Sequence, residues 1–212
     1  VSNLADDYFC LVLDEHTGWP RLAPRVAAVG LASGLLGELV VAGHAVMTES
    51  GEIQALDVQR PADPLAREVH ELLLARPQHR DPGIWISYLA RDAFDRVGIR
   101  LAQLGLVTAV RKRRLTGART VYQPTNLSTI AWPGIRIAQQ LSGGAEITLN
   151  DLACTGLAVA TGLIGQLLWD PELHAPARAA LPAALALLPP PVTLLLSRTE
   201  TAVADAVLTN RT

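Results

Sequence analysis

Cysteine, lysine and aromatic residues are all scarce in this 212-residue chain, and each shortage narrows what the chain can be. Its two cysteines, Cys10 and Cys154, are too few and too far apart for a disulfide framework, and neither sits in a C-x-x-C or Cys/His cluster; a reducing, cytoplasmic setting is expected. Aromatics make up 4% of the residues while alanine, leucine and valine dominate, which favours packed helices over a sheet sandwich. Lys112 is the sole lysine beside seventeen arginines, the mark of a GC-rich coding sequence. The N-terminal stretch carries acids where a signal peptide needs positive charge, so no secretory leader is expected.

Catalytic motifs are missing as well. His16, His44, His70, His79 and His174 show no metal-ligand spacing and read as surface or partly buried structural side chains. The glycine-bearing stretches "GLASGLLG" and "GLAVATGLIG" match neither the dinucleotide fingerprint nor the phosphate-binding loop, and there is no G-x-S-x-G elbow. Asp6-Asp7 and Asp14-Glu15 read as solvated helix faces rather than acid/base dyads, because sequence neighbours on a helix point in different directions. These absences predict no catalytic residue, no metal and no cofactor, and a binding role moves ahead. Residues 152–169 are uncharged but bounded by Asp151 and Asp170, and read as a buried core helix; 179–197 is broken by Pro182 and the Pro189–Pro191 run. No transmembrane segment is expected.

What is present is helical periodicity. Leu4, Tyr8, Leu11 and Val12 mark a first helix closed by Gly18 and Pro20, and the next, from Arg25 to about Met47, is apolar nearly all round, as suits the centre of a bundle. Gly30 and Gly34 lie four apart and predict close backbone approach. A short hairpin or loop turns at Ser50-Gly51, and a third helix starts at Asp63-Pro64 with buried Leu65, Val69, Leu72 and Leu73. One long helix is expected from Pro82 to Gly105, then two strands turning at Thr116-Gly117 and closed by Pro124. Further helices are expected over about 126–141, 149–169 with Thr148 or Asn150 near the cap, 172–188 and 193–209. The fold class predicted is mainly α: a single helical-bundle domain over 1–212, with amphipathic surrounding helices and a protruding β-hairpin.

That hairpin, "VRKRRLTGARTVYQ" over 110–123, holds Arg111, Lys112, Arg113, Arg114 and Arg119 and no acid; elsewhere 13 basic residues face 20 acidic ones. The residues alone leave three readings open: an anionic membrane patch, a nucleic-acid wing, or an arginine-rich solvent face that protects a strand edge. For the wing, the preceding "RDAFDRVGIRLAQ" would present Arg91, Arg96, Arg100 and Gln103 to bases, with Asp92 and Asp95 set against phosphates; nucleic acid is therefore an unfavoured partner.

The order of "LADDYFCLVLDEHTGWPRL", "GLASGLLGELVVAG" and "RLAQLGLV" followed by the hairpin and Pro124 resembles the Golgi phosphoprotein 3 family, in its shorter bacterial, actinobacterial-type form. The resemblance implies a mainly α-helical domain, no catalytic activity, peripheral membrane attachment through phosphatidylinositol 4-phosphate or another anionic or phosphorylated lipid headgroup, and, in eukaryotic members, an adaptor role for Golgi enzymes. Carried over position by position, the family's pocket tryptophan falls on Ala23, its first arginine on Ala32 and its later arginine pair on Arg91 and Phe94. Of these Arg91 alone is kept, with Trp19 and Arg25 as a displaced aromatic and cation and Arg96 as a second guanidinium. Each lost arginine removes charge-assisted hydrogen bonds worth about 1.5–3 kcal/mol. The hairpin's implied use in some relatives is homo-oligomer formation, for which Leu115, Val121 and Tyr122 offer apolar contacts and Glu49, Glu52 or Asp57 could answer the arginines in trans.

Overall fold

The computed structural model describes residues 3–114, 117–144 and 146–208, with side chains at all of these except 113, 114, 117 and 118. It is mainly α, with ten helices and two antiparallel hairpins among the described residues. Helix α1 (Leu4–Val12) and helix α2 (Pro24–Val41) form the centre. Every residue of α1 is buried, and α2 is apolar nearly all round, with α1, α4, α7 and α10 packed about it. Their close crossing depends on small residues: a Cβ on Gly30 would stand 2.2 Å from the Tyr8 hydroxyl, and one on Gly34 would stand 3.1 Å from the Ala5 backbone. Helix α2 is long and apolar enough to span a membrane, with mean hydropathy 1.4, but 72% of it is buried inside the protein, as befits a core helix.

Strands β1 (Ala45–Met47) and β2 (Ile53–Ala55) form the small hairpin expected around Ser50-Gly51. Helix α3 (Pro64–Leu74) starts where predicted: the Asp63 carboxylate accepts the Ala66 N–H at 2.8 Å, and Pro64 occupies the first turn. Val69 and Leu73 are buried, with Leu65 and Leu72 half-buried beside them. His70 on the same helix is fully buried, its Nε2 2.9 Å from the Leu56 carbonyl.

The predicted long helix from Pro82 to Gly105 is two: α4 (Pro82–Leu89) and α5 (Ala93–Gln103). Asp92 leaves the helical region at φ −140°, and the intervening N–H groups of Arg91 and Asp92 reach back only three residues, to Tyr88 and Leu89. Both halves pack on α2, but α4 also meets α10 whereas α5 meets α1 and β3, so apolar spacing that suits one continuous helix serves two. The predicted 149–169 helix likewise divides into α7 (Leu149–Ala160) and the single turn α8 (Ile164–Leu167), parted by Gly162 at φ +74°. Thr148 is its cap, accepting the Asp151 N–H. Helix α1 ends earlier than predicted, because Leu13 is extended and pairs with Pro20 across a tight loop.

Strands β3 (Val107–Arg114) and β4 (Gly117–Pro124) pair in the predicted hairpin, with Lys112 opposite Arg119 and Arg111 opposite Thr120. Leu115 and Thr116 lie outside the described residues, as do the side chains of Arg113 and Arg114. At its base, Tyr122 enters the core against Phe9 and Phe94, with its ring where a Cβ on Gly98 would stand. Helices α6 (Leu127–Leu141), α9 (Ala175–Leu185) and α10 (Pro190–Leu208) complete the bundle, the last two bent by 113° at the proline run.

Asp6 and Asp7 are not solvated. Arg100 Nε donates to Asp6 at 2.8 Å, its two terminal nitrogens grip Glu38 at 2.8 and 3.1 Å, and Asp63 accepts at 2.9 Å. On the other side of α1, Arg136 bonds Asp7 at 2.9 Å and Asp151 at 2.6 Å. Alternate directions from adjacent residues send the two carboxylates to two separate arginines, Arg100 buried and Arg136 half-buried.

Candidate functional site

The break between α4 and α5 leaves Arg91 exposed at the end of α4, where it lines a recess of about 720 Å³. Four other segments contribute to its wall: Trp19 and Pro20 from the loop after α1, Arg25 from the first turn of α2, Arg119 and Thr120 from β4, and Ala206 from α10. The loop is held by its own sequence. Asp14 accepts the backbone N–H groups of His16 and Thr17, Gly18 supplies φ +74°, and Leu13 bridges to Pro20, so Trp19 is held on the returning arm of a closed turn, its carbonyl accepting the Asp14 N–H at 2.8 Å. Backbone hydrogen bonding from Thr17 also holds the Asp14 carboxyl below the usual range.

Three guanidiniums thus converge on one recess, and among the described residues no acid lies within ion-pair distance of Arg25, Arg91 or Arg119. Arg91 instead stands over the Tyr88 ring, 5.7 Å from its centroid. The recess is not purely cationic: Asp92 and Asp95 also line it, Asp92 bonded to Arg96 at 2.8 Å and Asp95 accepting the Tyr122 hydroxyl at 3.2 Å. A second hollow of about 700 Å³ continues past Arg91 between α4 and α10, so this guanidinium sits where two cavities join.

Of the residues singled out in the sequence, Trp19, Arg25 and Arg91 are brought together and Arg96 is not. Arg96 is turned away, paired with Asp92 and with Glu68 at 3.0 Å, and the pull of these acids keeps its pKa raised against partial burial. Arg119, assigned from sequence to the hairpin surface, belongs to the recess as well; its register opposite Lys112 is the feature that carries it there. Lys112 donates to the Thr17 carbonyl at 3.0 Å, pinning the hairpin to the Trp19 loop, while Arg111 is exposed. Phe94 lines the recess and stacks on Phe9 at 4.9 Å, whereas Ala32 is fully buried in α2 and does not reach it. The DNA-reading alternative loses its helix: Arg100 is buried among three carboxylates and cannot meet a base.

Chemically, the recess offers charge and hydrogen-bond donors, and neither cysteine of the chain lines it. Burial pushes the Cys10 thiol up to about 12 and the Cys154 thiol well above its ordinary value, so neither is a thiolate at neutral pH. Among the described residues no group of three or more His, Cys, Asp or Glu side chains is arranged to hold a metal ion. The family model described as Golgi phosphoprotein 3 (GPP34) matches residues 4–207, nearly the whole chain. Among curated proteins none matches.

Proposed function

The chain belongs to the Golgi phosphoprotein 3 (GPP34) family, and from that premise we propose that it is a non-enzymatic, cytoplasmic, peripheral membrane protein that binds an anionic or phosphorylated lipid headgroup in the Arg91 recess. The single Golgi phosphoprotein 3-like domain read over 1–212 is part of this proposal. The observation that carries it is the convergence of Arg25, Arg91 and Arg119 on one recess beside Trp19, with no acid paired to any of the three among the described residues. A phosphoryl group bound there meets guanidiniums from three different segments, and a charge-assisted hydrogen bond of this kind contributes about 1.5–3 kcal/mol. Asp92 and Asp95 on the same wall weaken the attraction for a bare inorganic anion and accept hydrogen bonds from headgroup hydroxyls.

The hairpin adds diffuse attraction. Arg111 is exposed, and each cation near an anionic bilayer contributes about 1 kcal/mol, screened beyond about a Debye length. The same two-stranded sheet has open edges, which supports self-association as its second use.

Sedimentation with phosphatidylcholine vesicles, with and without anionic or phosphoinositide lipid, tests the reading. Low-salt binding should depend on the anionic lipid and fall at least tenfold in Arg25→Ala/Arg91→Ala. Neutralising Arg111, Arg113 and Arg114 should lower it by roughly fivefold per charge, the equivalent of about 1 kcal/mol each. Binding that is absent at low salt, or indifferent to both sets of substitutions, refutes it. A gel shift on duplex DNA at low salt separates this reading from the nucleic-acid alternative.

A further inference from the structure

We infer that the groove along α6 is a second membrane contact, an apolar surface that enters the acyl region of an anionic bilayer; this rests on the headgroup reading above and adds to it a separate set of residues. The groove is a recess of about 530 Å³ between α1, α6 and residues 164–174. Its floor is shallow at Gly134, where an added Cβ would already touch Leu11 at 3.4 Å and Leu167 at 3.9 Å. Its walls carry Leu127 and Ile135 from α6 and Trp169 and Leu173 from the segment after α8, and these are 56%, 47%, 70% and 70% exposed. Leu127, Ala131 and Ile135 recur every fourth residue, so the stripe runs for about 12 Å along one helix face. Four large apolar side chains around one open groove mark a surface that is covered when the protein works.

Charge selects the bilayer as the cover. The loop that places Trp19 and Pro20 on the Arg91 recess places Glu15, His16 and Arg21 on this groove, and its Thr17 carbonyl anchors Lys112 of the basic hairpin. Cationic recess, basic hairpin and apolar groove therefore share one loop, and their combination of positive charge, leucine and an exposed indole matches the headgroup layer and outer acyl region of an anionic membrane.

The full chain is tested on vesicles of phosphatidylcholine with phosphatidylglycerol, at 0.1 M salt and at about 1 M, where the Debye length is about 3 Å. The expected result is a bound fraction that survives high salt, quenching of tryptophan fluorescence by brominated acyl chains that Trp169→Phe reduces, and at least about a tenfold loss of salt-resistant partitioning in Leu127→Ser/Leu173→Ser. All three positions are exposed, so the variants are expected to fold; circular dichroism checks this. Complete release at high salt without quenching, with low-salt binding still lost in Arg25→Ala/Arg91→Ala, overturns the insertion and leaves the headgroup reading standing. Salt-resistant binding that is lost in the serine variant but untouched by the arginine substitutions sinks the headgroup reading instead. A concentration-dependent dimer that Leu173→Ser dissolves assigns the groove to a second copy and overturns the proposal, and no vesicle binding under any condition overturns both.

Discussion

Arg100→Met should cost the protein about 3–5 kcal/mol at pH 7. The guanidinium is 7% exposed and lies against Asp6 and Glu38, 8% and 7% exposed, and Asp63, which at 24% keeps more contact with water. Methionine preserves the length and apolar stem of the side chain but leaves three carboxylates facing one another, two of them without solvent. Removing one partner of a buried ion pair typically costs 3–5 kcal/mol, because the stranded charge has lost its hydration and its counter-ion together. For a chain of this size that lowers Tm by about 6–20 °C. The loss should be visible in urea denaturation and should shrink on acidification, since Asp6 and Glu38 can then take up protons instead of remaining as buried anions. Burial already raises both carboxyls in the intact protein, against the opposing pull of Arg100. Adding Asp6→Asn and Glu38→Gln to Arg100→Met should restore most of the stability. A loss under about 1 kcal/mol, or one that does not change with pH, would refute the reasoning.

Other substitutions test separate links. Arg96→Ala should leave vesicle binding unchanged and cost less than about 1 kcal/mol, because its two ion pairs are with exposed acids; a tenfold fall in lipid binding would return Arg96 to the site. Gly98→Ala should destabilise by about 1–3 kcal/mol or more and alter near-ultraviolet circular dichroism, since the new Cβ falls 2.4 Å from the buried Tyr122 ring. Glu38 has a folded-state pKa raised above its ordinary value of 4.5, chiefly by burial, so the folded chain holds that proton more tightly than the unfolded one. Acidification from above the raised pKa towards 4.5 therefore adds stability from this group, and Glu38→Gln should flatten that part of the wild-type stability–pH curve; an unchanged curve would rule the linkage out.

Much of the fold was legible along the chain because its signals are local. Asp63-Pro64 announced the start of α3, four-residue glycine spacing announced the α1–α2 crossing, and the uncharged 152–169 stretch announced a core helix. The helix breaks at Asp92 and Gly162 were not legible in the same way. Apolar spacing from Trp85 to Leu101 suits one helix or two, and packing on different neighbours decides between them. Arg96 and Arg100 illustrate the same point for the site. Sequence presents Arg91, Arg96 and Arg100 as similar cations near one helix, yet the fold exposes the first, pairs the second on the surface and buries the third.

By itself, the sequence determined the mainly helical class, the apolar centre, the hairpin and the concentration of its positive charge, since periodicity, caps and composition act between residues a few positions apart. Tertiary structure alone decided which charges are available. Asp6 meets Arg100 across 94 residues, Lys112 meets Thr17 across 95, and Trp19, Arg25, Arg91 and Arg119 meet only because four segments close on one recess. A guanidinium binds an external anion when folding brings it no carboxylate, and that depends on distances through space that no spacing along the chain records.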